Sequence, residues 1–161
     1  MVTASKIWEL LSGVFDPEVP VLTILDLGIV RDVAVNEDTI TIKITPTYTG
    51  CPAMQRIEQD IYEVMNENNV ANVHVELVLS PAWTTDWLSE EGKRKLLEYG
   101  IAPPVDEVDK SVLFAAPPVI GCPKCGSKNT KLVSHFGSTA CKAHYTCNEC
   151  SEPFDYFKCL R

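Results

Sequence analysis

Two short stretches near the end of the chain decide its organisation: Cys122-Pro123-Lys124-Cys125-Gly126 and Cys147-Asn148-Glu149-Cys150. Each holds a Cys-x-x-Cys pair, and 21 residues separate the pairs. Such a pair can bend into a tight knuckle that aims both sulfurs at one centre. Two knuckles give four thiolates in a tetrahedron, the set that a zinc ion takes at about 2.3 Å per bond. Gly126 supplies the permissive backbone that a knuckle needs. A single iron ion would accept the same four ligands, so the spacing specifies a four-cysteine metal site with structural zinc as the expected occupant.

Around these pairs the sequence predicts strands over 131–136, 143–146 and 154–158, a small zinc ribbon over 120–161. A unit this small buries too little core to fold unaided. A structural metal contributes on the order of 10 kcal/mol in comparable peptides. Cys141 and Cys159 remain after the four ligands are assigned. Each is a candidate extra ligand or a thiol packed in the ribbon. Upstream, residues 103–119 carry Pro103-Pro104, Asp106, Glu107, Asp109 and Pro117-Pro118, and read as a linker in which Val112, Leu113 and Phe114 dock on one domain.

The 161 residues suffice for one core plus a satellite domain. No apolar run approaches the roughly 20 residues of a membrane span, and MVTASKIWELL lacks the pattern of a secretion signal. The expected compartment is the cytoplasm, where seven cysteines read as metal or redox ligands rather than disulfides. Residues 1–119 hold 8 Lys+Arg against 19 Asp+Glu, and residues 120–161 hold 6 against 3. A basic ribbon invites nucleic acid, but four thiolates on zinc offset its charge. The acidic body would repel phosphate, so neither nucleic acid nor membrane is an expected partner.

The N-terminal domain, residues 1–102, reads α-β-β-α-β. Ile7, Leu10, Leu11 and Val14 form one helical face from Ser5 to about Phe15, which Asp16-Pro17-Glu18 ends. Strands follow at 29–35 and 39–45, joined by Asn36-Glu37-Asp38. A helix to about Asn68 carries Met54, Ile57, Ile61, Val64 and Met65 on one stripe, and Val73, Val75, Leu77 and Leu79 alternate along a third strand. Ser89 caps a last helix that Gly100 stops. Trp83 and Trp87 read as core anchors or, failing that, as part of a partner surface. The fold class is therefore α+β: a three-stranded sheet with helices on one face, followed by the four-cysteine ribbon. An exposed edge strand also leaves a homodimer open.

Two residues here carry candidate chemistry. Cys51 lies between Gly50 and Pro52, and Pro favours the first helical position. Cys51 is thus expected at a helix N-cap, where free N–H groups lower a thiol's pKa and yield a thiolate for a soft metal or an electrophile. Asp26 sits in an apolar loop, Val21 to Leu27, where an acid is costly unless paired. It either caps a turn or has a functional role. No nucleophile–base–orienter set accompanies Cys51, since His74 faces outward from a strand and His135 and His144 fall in the ribbon. No phosphate loop, dinucleotide glycine pattern or His-Glu metallohydrolase helix occurs. No catalytic residue is assigned.

Asp16-Pro17-Glu18, Asp26-Leu27-Gly28-Ile29-Val30 and Thr49-Gly50-Cys51-Pro52 resemble the iron–sulfur cluster assembly family. In that family the residue matching Cys51 is linked to cluster or metal handling. The tail motifs, Cys122 to Ser127, Phe136 to Lys142 and Glu152 to Cys159, look like those of the D-subunit family of phenylacetyl-CoA epoxidase complexes. This second resemblance spans nearly the whole chain. It implies a non-catalytic accessory component in phenylacetate breakdown, with the oxygenase and reductase components as partners. It also implies that Cys51, aided by Asp26, handles a transient iron or iron–sulfur cluster. The alternative it leaves is a structural component whose zinc ribbon docks the others.

Overall fold

The computed structural model describes residues 1–105 and 119–158. Most of the expected linker, with Val112, Leu113 and Phe114, and the candidate ligand Cys159 lie outside the described residues. The chain divides into two compact units, Met1–Gly92 and Lys93–Arg161.

In the first unit, helix α1 covers Ala4–Leu11, capped by the Thr3 side chain, which accepts from the Lys6 N–H. It ends sooner than the apolar spacing suggests. Gly13 follows at once, and Val14, though buried, leaves the helix to bond its carbonyl to the Ile24 N–H at 2.9 Å. The 14–24 segment is therefore a closed loop. Strands β1 (Val30–Asn36) and β2 (Thr39–Ile44) form an antiparallel hairpin with Asn36 opposite Thr39. Helix α2 (Ala53–Glu67) leads to β3 (Val73–Leu77), which runs parallel to β2. The order is β1-β2-β3, and α1 packs on both β1 and α2.

Ile40, Ile42 and Ile44 of β2 and Ile57, Ile61 and Met65 of α2 are buried, as their periods require. The alternation in the third strand fails at its end. Val75 is buried, but Leu77 and Leu79 are 53% and 62% exposed. β3 is an edge strand that stops at Leu77, so these two side chains lie at the uncovered end of the sheet. Along the same edge, the Val75 N–H donates to the Tyr62 hydroxyl at 3.1 Å. This blunts the edge for pairing with another chain.

A bulge at Arg31 shifts the β1 register and turns its guanidinium over the Trp87 ring at 3.5 Å. Trp83 is the buried anchor, and its Nε1 donates to the Leu27 carbonyl at 2.7 Å. Helix α3 (Glu90–Tyr99) is capped by Ser89, whose Oγ accepts from the Gly92 N–H at 2.9 Å.

The second unit contains a four-stranded sheet, not the three-stranded ribbon expected: β4 (Ile101–Ala102), β7 (Pro153–Phe157), β6 (Lys142–Cys147) and β5 (Thr130–Ser134), in that spatial order. The addition is β4, two residues that the sequence reading placed in the N-terminal domain and that pair in parallel with Asp155 and Tyr156. Its Ala102 joins Ile120, Cys122, Ala143, Tyr145, Cys147, Phe154 and Tyr156 in one small core. Two residues are too short a run for period-based reading, and only the pairing with β7 defines them as a strand. Among the described residues, no helix is long and apolar enough to cross a membrane.

Candidate functional site

The two knuckles of the second unit bring four sulfurs together. Cys122 opens a turn closed by the Gly126 N–H on the Cys122 carbonyl at 2.8 Å, and Gly126 takes the φ of +76° that this turn demands. Cys147 ends β6, and Cys150 follows in the next turn. The sulfurs of Cys122, Cys125, Cys147 and Cys150 all lie within 4.8 Å of one another. Cys122–Cys150 and Cys125–Cys147 are 3.7 Å and 3.6 Å apart. A regular tetrahedron with bonds of about 2.3 Å has edges of about 3.8 Å. The set therefore fits a four-thiolate metal ion.

The four thiols do not share protons evenly: burial and the neighbouring sulfurs push Cys150 up to about 12 and raise Cys125. The Cys150 N–H holds the Cys147 thiol down at about 7 against desolvation, with further help from the Glu149 N–H. When bound, the metal ties the loop before β5 to the turn after β6. Cys141 lies outside this group: it precedes β6, about 20 Å of extended strand from Cys147. It is buried, with its sulfur 3.0 Å from the Thr139 hydroxyl.

In the first unit, Cys51 follows β2 at the carboxyl end of the parallel β2–β3 pair, where α/β units place their ligand sites. Its residue is 9% exposed. The N-cap of α2 is Pro52 rather than Cys51, although the Ala53 N–H still donates to the Cys51 sulfur. The expectation of a lowered thiol pKa does not hold. Burial raises it, the Ala53 N–H opposes that only in part, and the Glu18 and Asp16 carboxylates raise it further. The helix end is real, but desolvation and two acids outweigh it.

Those acids are the residues that the sequence reading missed. Asp16-Pro17-Glu18 reads locally as a helix stop. In the structure, Asp16 Oδ1 accepts from the N–H groups of Glu18 and Val19 at 2.7 and 2.9 Å, a turn that presents Glu18 to the 45–51 loop. There the Tyr48 hydroxyl donates to Glu18 Oε1 at 3.2 Å, and its nearness to the Cys51 sulfur favours the thiolate in part. Burial first, then the charges of Cys51 and Glu18, drive the Tyr48 phenol far above its usual range. A carboxylate 33 residues before Cys51 has no local signal. The one hint was that Asp16-Pro17-Glu18 belongs to the motif set of the resembled family.

Asp26 is engaged at the base of α3. Its Oδ2 accepts from the Thr23 N–H at 3.1 Å, its Oδ1 from the Ser89 hydroxyl at 3.2 Å, and its carbonyl from the Ser89 N–H at 2.8 Å. These bonds settle a carboxylate in an apolar loop.

The Cys51 environment predicts slow chemistry at the bare thiol. Alkylation of Cys51 by iodoacetamide at about pH 7, with the ribbon metal-loaded, is expected to be slower than that of a free cysteine and to rise at higher pH than a free cysteine does. The sign follows from the raised pKa: the thiol keeps its proton where an exposed cysteine has begun to lose it. Peptide mapping of the labelled protein across neutral to alkaline pH checks this. Labelling at neutral pH as fast as in the unfolded chain refutes it.

Comparison with known proteins agrees with both units. The sequence profile of the iron–sulfur cluster assembly proteins matches residues 4–80, and that of the PaaD zinc beta ribbon domain matches residues 106–158. A protein of Escherichia coli K12, provisionally named as the D subunit of 1,2-phenylacetyl-CoA epoxidase, is 51% identical over 96% of this chain and 92% of its own length. The chain belongs to the D-subunit family of phenylacetyl-CoA epoxidases. Its N-terminal unit has relatives outside that family. A Porphyromonas gingivalis protein named an Fe-S protein maturation auxiliary factor is 35% identical over 58% of this chain and 90% of its own. A DUF59 domain structure from Bacillus anthracis superposes with a TM-score of 0.54 at 33% identity, covering 57% of this chain and 89% of that one. The D-subunit family thus joins an assembly-type domain to a zinc ribbon.

Proposed function

We propose that this chain is an accessory component of a phenylacetyl-CoA epoxidase that supplies iron, as an ion or as part of a cluster, to the oxygenase or reductase component through Cys51. The observation that carries this reading is the convergence of Cys51, Tyr48 and Glu18 at the carboxyl end of the parallel strand pair. The Porphyromonas gingivalis relative named as a maturation factor matches this domain.

The chemistry supports a cation as cargo. Two carboxylates near a buried thiol disfavour its ionisation, and an arriving cation reverses that by taking the proton's place. Carboxylate and thiolate donors together suit a borderline metal such as ferrous iron. Cys51 is the sole cysteine before Cys122. A cluster held by this domain would need further thiolates from another source. Such partial ligation suits hand-off better than storage.

A second reading has its own observation. Val133 and Phe136, at the hairpin end of the ribbon, are 54% and 62% exposed. In that reading the ribbon docks the components and Cys51 is incidental.

The test measures iron and acid-labile sulfide in the oxygenase and reductase. They are produced in one host with this chain, without it, and with Cys51→Ser. Iron delivery predicts occupancy that falls at least severalfold without the chain and is not restored by the variant. Unchanged occupancy, with only assembly or electron transfer impaired, refutes delivery and favours docking.

A further inference from the structure

The geometry points to Tyr48 as the positioning residue that makes Glu18 and Cys51 act as one pair, an inference that rests on the reading of Cys51 as the metal-handling thiol. Glu18 and Cys51 lie on two separate loops, 14–24 and 45–51, that share no strand pairing. Tyr48 contacts both. Its carbonyl accepts from the Cys51 N–H at 3.2 Å, which fixes the turn into α2. Its hydroxyl donates to Glu18 Oε1 at 3.2 Å and stands close enough to the Cys51 sulfur to favour its thiolate. The same side chain therefore sets where the carboxylate and the sulfur stand relative to each other.

That spacing matters for a shared cation. A metal bound at about 2.3 Å to sulfur and about 2.1 Å to oxygen needs its two donor atoms within about 4 Å. Among the described residues, the only group of three or more Cys, His, Asp or Glu side chains with all donor atoms within 4.8 Å is the four-cysteine set. The Cys51 site is thus no closed cage. It depends on a non-ligating group to hold its donors in register, and glutamate has three side-chain torsions to fix. A phenol is rigid, and this residue bonds the Glu18 carboxylate through its hydroxyl and the Cys51 backbone through its carbonyl. Partners of this kind, one shell out from a metal, change affinity by about 10- to 100-fold.

The test uses the full chain with the ribbon zinc-loaded, titrated anaerobically with Co2+ as a spectroscopic stand-in for ferrous iron. The readout is the sulfur-to-cobalt absorption. The parent is expected to bind through Cys51, and Tyr48→Phe to bind at least about 10-fold more weakly. Melting temperature and zinc content should stay unchanged. Glu18→Gln should lose a similar factor, and the double variant should be no weaker than the weaker single, because the pair that Tyr48 holds is already broken without the Glu18 carboxylate. Tyr48→Phe binding at the parent's affinity overturns the inference, as does a double variant weakened by the product of the single factors. Should Tyr48→Phe fold poorly, Glu18→Gln decides alone: an unchanged affinity means that Glu18 is no donor, leaves Tyr48 no pair to position and overturns the inference. A parent titration indistinguishable from that of Cys51→Ser instead removes the metal-handling reading, and this inference falls with it.

Discussion

Stripping the metal from the four-cysteine group is expected to unfold the C-terminal unit and leave the N-terminal unit folded. Among the described residues, the core of the ribbon is a cluster of eight buried residues, two of them the ligands Cys122 and Cys147. A structural zinc contributes on the order of 10 kcal/mol in comparable peptides, which is as large as the whole stability of many domains. Without it, four sulfurs within 4.8 Å of one another lose their common partner. Replacing Cys147 with Ser has the same expected outcome, because Cys147 is both a ligand and a fully buried member of the core. Acid acts likewise, since each ligand must be a thiolate and protons compete with the metal as pH falls. The chain reports the two units separately. All three tryptophans, Trp8, Trp83 and Trp87, lie in the first unit. Chelation should therefore leave tryptophan fluorescence unchanged while amide exchange across 130–157 rises to that of an unfolded chain. Retained protection in β6 after complete metal removal would refute the claim.

Much of this architecture was legible in the sequence, and the reasons differ by element. The ribbon was readable because metal ligation imposes fixed short spacings, so the Cys122/Cys125 and Cys147/Cys150 pairs declare themselves. β2 and α2 were readable because one buried face forces a period, seen in Ile40, Ile42 and Ile44 and in Ile57 and Ile61. The misses fall where non-local geometry decides. The two residues of β4 carry no period of their own. Leu77 and Leu79 keep the alternation of a buried strand, yet their exposure depends on whether anything covers the end of the sheet. The Cys51 prediction failed in sign. The helix end beside it was visible locally, whereas Glu18 and Asp16 reach it only through the closed 14–24 loop.

Gly28→Ala is expected to be the most damaging single methyl added to the first unit. Gly28 has a φ of +70°, a region that charges an L-residue roughly 1–2 kcal/mol. The added Cβ would also stand 2.7 Å from the Trp87 carbonyl oxygen and 2.8 Å from the Trp87 Cβ. Neither atom is the free end of a flexible side chain. Trp87 ends the 3-10 turn Thr85–Trp87, its ring carries the Arg31 guanidinium, and Ser89 just beyond it bonds Asp26. Displacing it strains that whole clasp, and overpacking of this kind adds about 1–3 kcal/mol. The total, about 2–5 kcal/mol, corresponds to a fall of at least about 10 °C in the tryptophan-detected melt of a unit this size. Gly50→Ala separates the two causes. Gly50 also has a positive φ, +76°, but nothing lies within 4 Å of its added Cβ. It should lose only the backbone contribution, about 1–2 kcal/mol. Equal losses at the two sites would mean that the contact of Gly28 with Trp87 contributes nothing beyond backbone strain. A Gly28→Ala melt within a few degrees of the parent would mean that the loop carrying Asp26 shifts freely and does not clasp the base of α3.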